Sequence, residues 1–98
     1  MLINDYLKIA ERNFYGVAKP IICEDGYCIS VQGSSFHYCT PRIDNADLYS
    51  ELELGFPNKE DELINDYAED SDYCHTVYGN VPVEIVDKLI KKHGGIHV

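Results

Sequence analysis

The chain has 98 residues, which corresponds to a single domain, residues 1–98, with a small hydrophobic core. Its 17 Asp and Glu residues outnumber its 8 Lys and Arg residues, and the net charge of −9 argues against direct binding to nucleic acid or to an anionic membrane surface. No apolar run approaches the ~18 residues that a membrane-spanning helix needs, and the charged N-terminus is not typical of a signal peptide. These features predict a cytoplasmic protein with reduced cysteines.

The first half of the chain predicts one helix followed by three strands. Residues 3–14 place apolar side chains at helical spacing. The buried stripe of this helix comprises Ile3, Tyr6, Leu7, Ala10 and Phe14. Residues 20–23 and 27–32 have the pattern of two strands, and the Asp-Gly pair between them favours a hairpin turn. Residues 36–40 are predicted to form the third strand, which ends before a proline.

The second half predicts a fourth strand and two helices. In residues 48–54 the side chains alternate, with Leu48, Ser50, Leu52 and Leu54 facing the core and Tyr49, Glu51 and Glu53 facing solvent. Residues 59–68 indicate a short helix and residues 76–78 a short extended piece. Residues 82–93 give the clearest helical pattern, with a proline at the start and a glycine after the end. The predicted fold class is therefore α+β, a small antiparallel sheet of about four strands with an N-terminal helix and C-terminal helices packed on it.

The excess negative charge is concentrated in residues 44–72, called the acidic block below. The block holds eleven carboxylates and one lysine, so its charge is 1 − 11 = −10, whereas the rest of the chain, with seven bases and six acids, has +1. The carboxylates are Asp44, Asp47, Glu51, Glu53, Glu60, Asp61, Glu62, Asp66, Glu69, Asp70 and Asp72. Apolar residues alternate with these charges, which is unlike a disordered acidic tail. We therefore expect a folded surface with negative charges in fixed places.

The spacing of these carboxylates suggests what the surface binds. Glu51 and Glu53 on one strand face stand roughly 6.6 Å apart, and Glu62 and Asp66 on a helix stand about 5–6 Å apart. Both spacings are comparable to that of neighbouring phosphates in a nucleic acid, so the block could occupy a groove lined with Lys and Arg. Tyr49, Tyr67 and Tyr73 would add amphipathic contacts to the same partner. The alternative is a solvated acidic face that only improves solubility.

The sequence predicts no catalytic residue and no cofactor. Cys23, Cys28, His37 and Cys39 could assemble a zinc site, with Cys74 and His75 as further donors. The spacing fits no standard set of zinc ligands, and buried thiols acting as small apolar side chains are the simpler interpretation. A zinc-stabilised module is retained only as an alternative.

Several segments resemble small acidic proteins encoded by bacteriophages and prophages, of the type that inhibits bacterial defence, above all the anti-CRISPR proteins. The segments are FHYCTPR (36–42), LELGFP (52–57), YAED (67–70) and TVYGNVPVEIVDKLIKKHGG (76–95). They cover roughly the C-terminal two thirds of the chain and contain no known catalytic motif, so no active-site residue can be carried over.

The resemblance and the charge together imply a non-enzymatic inhibitor that acts in the cytoplasm of a bacterial host. Its expected partner is a basic nucleic-acid-binding host protein, a CRISPR-Cas effector above all, whose DNA- or RNA-binding groove the acidic block would fill. The alternative is a small phage interaction or regulatory protein that acts as a homodimer or through a partner that does not bind nucleic acid.

Overall fold

The structure, a computed structural model, describes residues 1–97. Its elements run in the order α1 (Ile3–Ile9), β1 (Ile21–Ile22), β2 (Cys28–Gln32), β3 (Glu51–Gly55), a 3₁₀ turn (Asn65–Tyr67), β4 (Val77–Pro82) and α2 (Val83–Lys92). The four strands form one sheet in the order β1-β2-β3-β4, each antiparallel to the next. The predicted α+β class, a small antiparallel sheet with an N-terminal and a C-terminal helix, is confirmed.

The core lies on the face of the sheet that alternate strand residues share. In β2 and β3 the buried aliphatic side chains are Ile29, Val31, Leu52 and Leu54, which occupy alternate positions. Burial of one such aliphatic side chain stabilises the fold by about 1.5–3 kcal/mol. The whole core comprises Ile3, Leu7, Ile21, Cys23, Tyr27, Ile29, Val31, Cys39, Tyr49, Leu52, Leu54, Ile64, Tyr78, Val81, Val86, Leu89 and Ile90.

Helix α2 is the element that the sequence predicts best, since its bounds differ by one residue at each end. Its buried side chains are Val86, Leu89 and Ile90, spaced three and four residues apart. Pro82 directly precedes the helix, and Gly94, at φ +91°, follows it. Helix α1 contacts α2, and the backbone N–H of Ile3 donates to Asp87 Oδ1 at 2.8 Å. Within residues 1–97 no helix has the length and apolar character needed to cross a bilayer.

The predicted helix over residues 3–14 is wrong in its second half, because α1 ends at Ile9 and Ala10 is extended. The Asn13 side chain accepts hydrogen bonds from the N–H groups of Tyr15 and Val17, at 2.9 and 3.1 Å. Such a local side-chain bond competes with helix formation and favours a turn. Phe14, which was predicted to lie in the buried stripe, is consequently 95% exposed.

The predicted third strand over residues 36–40 is also absent. Ser34 starts a turn, in which its Oγ accepts the N–H of Phe36 at 3.0 Å. Thr40 forms an isolated bridge to β3 through two backbone hydrogen bonds to Glu51, and Tyr38 O accepts the N–H of Asn80 in β4 at 2.9 Å. The sheet takes its fourth strand from Val77–Pro82 instead, where only a short piece over residues 76–78 was expected.

The predicted alternation over residues 48–54 holds only from Glu51 onwards. Leu48 is 68% exposed although it was expected to face the core, and Tyr49 is 3% exposed although it was expected to face solvent. The cause is Asn4, whose side chain accepts from Tyr49 N at 2.9 Å and donates to Tyr49 O at 3.0 Å. These two hydrogen bonds fix the backbone before β3 in a conformation that turns the Tyr49 ring toward the core. The ring then fits over Gly33, whose hydrogen leaves room for it.

The predicted helix over residues 59–68 is reduced to the 3₁₀ turn Asn65–Tyr67. Ile64 is fully buried, whereas Leu63 and Tyr67 are only partly buried. The chain then pairs with the outer edge of β4, where Glu69 N donates to Val77 O at 3.0 Å. At the opposite edge of the sheet, His97 N donates to Ile22 O at 2.7 Å. Both outer strands thus pair with further chain segments, which protects them from pairing with other molecules.

The close approach of Tyr49 to Gly33 gives a test of this core. A Cβ at position 33 would lie 2.9 Å from Tyr49 Cζ and 3.0 Å from Leu52 Cδ2. Because both side chains are buried and cannot retreat, Gly33→Ala should lower the free energy of unfolding by about 1–3 kcal/mol. Urea unfolding followed by circular dichroism measures the change. Gly55→Ala is the matched control, since its Cβ would meet its nearest neighbour at 3.5 Å; equal midpoints for the two variants would contradict the packing.

Candidate functional site

Most carboxylates of the acidic block face solvent. Glu51 and Glu53 are partly buried and Asp61 is 5% exposed. The remaining eight are exposed, namely Asp44, Asp47, Glu60, Glu62, Asp66, Glu69, Asp70 and Asp72. The block is therefore a charged surface built on folded backbone.

Few of these charges are neutralised by the chain itself. Within residues 1–97, ion pairs in the block are confined to Asp61, with Lys92 and His93, and Asp72, with His75. Of the eleven carboxylates, 11 − 2 = 9 therefore have no cationic partner within 4.0 Å in this part of the chain. Unpaired like charges repel each other and produce a negative potential that extends into solvent.

The fold distributes the block around two strands. Asp44 and Asp47 lie in the loop before β3, and residues 60–62 follow its end. Residues 66–72 run through the 3₁₀ turn and along the segment that covers the outer edge of β4. The block thus brings negative charge to both ends of β3 and to one edge of the sheet, over a wider area than one strand face.

Glu51 and Glu53 lie side by side on the outer face of β3, but their oxygens have partners in the chain. Glu51 Oε1 accepts the hydroxyl of Thr40 at 2.7 Å and the side-chain amide of Asn80 at 3.2 Å. Glu53 Oε1 accepts the backbone N–H of Tyr38 at 3.1 Å. These two carboxylates hold residues 38–40 against the sheet, so they are less free to meet a partner than their spacing suggested.

Asp61, the most deeply buried carboxylate of the block, also contributes to the fold. Its Oδ2 lies 3.0 Å from Lys92 Nζ and 2.9 Å from His93 Nε2, while His93 Nδ1 lies 2.6 Å from Asp25 Oδ2. Both imidazole nitrogens donate only when the ring carries two protons. The ring also stacks on Tyr27 at a centroid distance of 3.9 Å. This network joins the β1–β2 turn, the acidic block and the end of α2.

The contacts of Asp61 and Asp25 stabilise their charged forms. Burial alone would raise the pKa of Asp61. Hydrogen bonds from the Leu63 amide, from His93 and from Lys92 outweigh that effect and lower the pKa of Asp61 below its ordinary value. The pKa of Asp25 is lowered as well, by hydrogen bonds from the backbone amide of Tyr27 and from the His93 side chain.

The three tyrosines expected at the partner surface have different surroundings. Tyr49 is buried, and its hydroxyl donates to the carbonyl of Ile43 at 2.8 Å, so it is a core residue and not a contact for a partner. Tyr67 and Tyr73 are partly exposed. The structure also exposes aromatic side chains that sequence reasoning missed, Phe14, Tyr15 and Phe36. The turn signal of an Asn-x-x-Gly run around the first two could have identified them.

The possible zinc ligands are not assembled. Within residues 1–97 no three His, Cys, Asp or Glu side chains are placed to hold a metal ion. All four cysteines are free, and burial raises the pKa of Cys23 to about 11 and that of Cys39 above its ordinary value. Cys23 and Cys39 are core residues, and the zinc alternative has no support in this geometry.

The lowered pKa of Asp61 predicts how stability depends on pH. Because the pKa is lower in the folded protein than in the unfolded chain, the carboxylate adds stability above its ordinary range and loses it as pH falls through the folded value. Asp61→Asn should lower the free energy of unfolding by about 2 kcal/mol near neutral pH. The difference from the unsubstituted protein should shrink below about pH 4.

Urea unfolding at a series of pH values measures this difference. Glu62→Gln is the control, because this exposed neighbour should give a small difference that does not change with pH. A destabilisation by Asp61→Asn that persists undiminished in acid would show that the ionised carboxylate is not the source of the stability.

Comparison of the chain with protein-family models, curated proteins and solved structures gave no match. The resemblance to phage-encoded anti-CRISPR proteins therefore stays a prediction. The surface features that bear on function are the exposed and unpaired carboxylates, the folded segments that carry them and the exposed aromatic side chains.

Proposed function

We propose that this protein is a non-enzymatic inhibitor that binds the basic nucleic-acid-binding groove of a host protein through its acidic block. The observation that supports the proposal is the set of nine carboxylates without a cationic partner in residues 1–97. They are attached to folded segments, so their negative charges are presented at fixed positions, as the phosphates of a nucleic acid are.

The energetics of such a surface favour a basic partner. Like charges held close together destabilise the free protein through mutual repulsion. A groove lined with Lys and Arg removes this repulsion on binding, and its positive potential accelerates the encounter with an acidic ligand. Since close charge pairs provide the attraction, the affinity should fall as added salt screens them.

The class of host protein follows from the resemblance of residues 36–42, 52–57, 67–70 and 76–95 to phage-encoded defence inhibitors. We expect a CRISPR-Cas effector in the bacterial cytoplasm to be the target, with its DNA- or RNA-binding groove blocked by the acidic block. Inhibition would then be competitive with nucleic acid and would require no chemical step.

Charge reversal in the block tests the proposal. Glu62 and Asp66 are exposed and make no side-chain hydrogen bond within the described residues. Glu62→Lys/Asp66→Lys should therefore weaken binding to the target by about tenfold or more, because both substitutions place a cation opposite the groove. The measurement is competition between the protein and labelled target DNA for a panel of purified, guide-loaded CRISPR effectors, at low and at high salt.

The matched control is Asp5→Lys/Glu84→Lys. It makes the same change of net charge, from −9 to −5, at two exposed carboxylates outside the block. Thermal unfolding of both variants establishes that each is folded. Equal weakening by the two variants, or binding that does not respond to salt, would reject the acidic block as the binding surface, and failure to displace DNA from any effector would reject the proposed function.

A further inference from the structure

Three aromatic side chains are exposed around one groove of the surface. Phe14 is 95% exposed, and Tyr15 and Phe36 are each 81% exposed. The groove between them, called the aromatic groove below, has a volume of about 300 Å³. Its other lining residues are Arg12, Gly16, Gly33, Ser34, Asp44 and Asn45. Exposed aromatic side chains around a groove are costly to leave in water and are typical of a binding site.

The first aromatic wall is held by a compact turn. Asn13 Oδ1 accepts the N–H groups of Tyr15 and Val17, and Gly16 adopts φ +77°, which closes the turn. The rings of Phe14 and Tyr15 meet edge to face, with centroids 5.4 Å apart. The backbone that carries both side chains is thus held in one conformation before any partner arrives, which lowers the entropic cost of binding.

The second wall is held by Ser34 and Asp44. Ser34 Oγ accepts Phe36 N at 3.0 Å, and Asp44 Oδ1 accepts Ser35 N at 3.0 Å and Ser35 Oγ at 3.2 Å. The hydrogen bonds of this carboxylate within residues 1–97 all use Oδ1, so its Oδ2 is available to a ligand. Asp44 is also the single carboxylate among the residues that line the groove.

The two walls are tied together by Gln32. This side chain is 3% exposed; its Oε1 accepts Ala18 N at 2.9 Å and its Nε2 donates to Ala18 O at 2.8 Å. The turn that carries Phe14 is thereby joined to the end of β2, which leads directly into the turn that carries Phe36. The groove is a fixed feature of the fold.

We propose that the aromatic groove binds an arginine side chain of the basic partner. A guanidinium group is planar, stacks on aromatic faces and can at the same time donate a hydrogen bond from its edge to a carboxylate oxygen. The groove offers aromatic walls and the free oxygen of Asp44. Arg42 makes the same kind of stacking contact nearby, with its guanidinium carbon 5.2 Å from the ring centroid of Tyr38. This assignment rests on the proposed function only for the identity of the partner.

The net charge of the whole protein favours a cationic occupant over an acidic one, while the two charged residues that line the groove, Arg12 and Asp44, balance each other. A second copy of the chain or a nucleic acid would bring further negative charge to a molecule of net charge −9. Arg12 in the lining opposes a cationic ligand. Its Nη atoms donate to the carbonyls of Gly16 and Leu7, at 2.9 and 3.3 Å, which takes up part of its hydrogen-bonding capacity. An acidic ligand at Arg12 is the competing outcome that the experiment must separate.

The experiment is an NMR titration of the complete chain with three probes, the peptides hexa-arginine, hexalysine and hexaglutamate. Hexa-arginine should bind about two- to fivefold more tightly than hexalysine, because stacking on exposed aromatic rings adds to the shared charge attraction. The amide signals of residues 14, 15, 35, 36 and 44 should shift with hexa-arginine. Preferential binding of hexaglutamate, or an arginine preference whose shifts lie elsewhere, would overturn the proposal.

Two double variants test whether the preference for hexa-arginine over hexalysine arises in the aromatic groove. Phe14→Ser/Phe36→Ser removes one aromatic side chain from each wall at exposed positions and should reduce the ratio of hexalysine to hexa-arginine dissociation constants to about one. Ile9→Ser/Leu48→Ser is the control, since it removes two apolar side chains that are 67% and 68% exposed outside the groove, and it should keep the ratio. A ratio that survives Phe14→Ser/Phe36→Ser would refute the groove as the arginine site.

The peptide experiment is separable from the test of the proposed function. If the protein shows no preference for arginine but displaces DNA from an effector in a salt-dependent way, the aromatic groove is excluded as an arginine site. The acidic block then remains the proposed binding surface. Arginine selectivity without binding to any effector would retain the groove and reject the target.

Discussion

The constraint on which this fold depends is the satisfaction of backbone hydrogen bonds in a chain with very short strands, two to six residues long. A buried backbone group without a partner costs about 1–3 kcal/mol. Three side-chain amides supply partners where regular pairing stops, each donating to a backbone carbonyl and accepting from a backbone N–H. They are Asn4 with Tyr49, Gln32 with Ala18, and Asn58 with Gly26 and Cys28. The Gln32 and Asn58 contacts fix loops to the sheet, and the Asn4 contact fixes the loop before β3 to α1, so these loops are ordered although they are not regular.

These amide contacts also explain which parts of the fold can be predicted from the sequence. Helix α2, the β1–β2 hairpin and the buried alternation of β3 depend on local patterns, and all three were predicted. The bounds of α1, the absence of a strand at residues 36–40 and the inward turn of Tyr49 were not. Tyr49 is fixed by a residue 45 positions away and Ala18 by one 14 positions away. Periodicity and turn propensity carry no information about such pairs.

The candidate site likewise has features that the sequence predicts and features that it does not. The concentration of charge in residues 44–72 is visible in the sequence, and the exposure of most of its carboxylates follows from their solvation. The use of Asp61 in the fold was not predictable, because its partners Lys92 and His93 lie 31 and 32 residues further along the chain. For Glu51 and Glu53 the sequence predicted the position but not the contacts. Strand geometry placed them correctly on one face, yet residues 38–40, which belong to the predicted third strand 36–40, contact both side chains there.

The acidic block and the aromatic groove would contribute to binding over different distances. Charge attraction acts over about 10 Å at moderate ionic strength and is tolerant of geometry, so it brings many basic surfaces close without choosing among them. Stacking and a hydrogen bond to Asp44 act only at contact and depend on the orientation of a single side chain. Asp44 belongs to both surfaces, since it is an unpaired carboxylate of the block and it lines the groove. A cationic surface attracted by the block would therefore meet, beside the same carboxylate, a fixed aromatic site that accepts arginine better than lysine. Arginine placement within a basic groove, and not positive charge alone, would then decide which basic protein is bound.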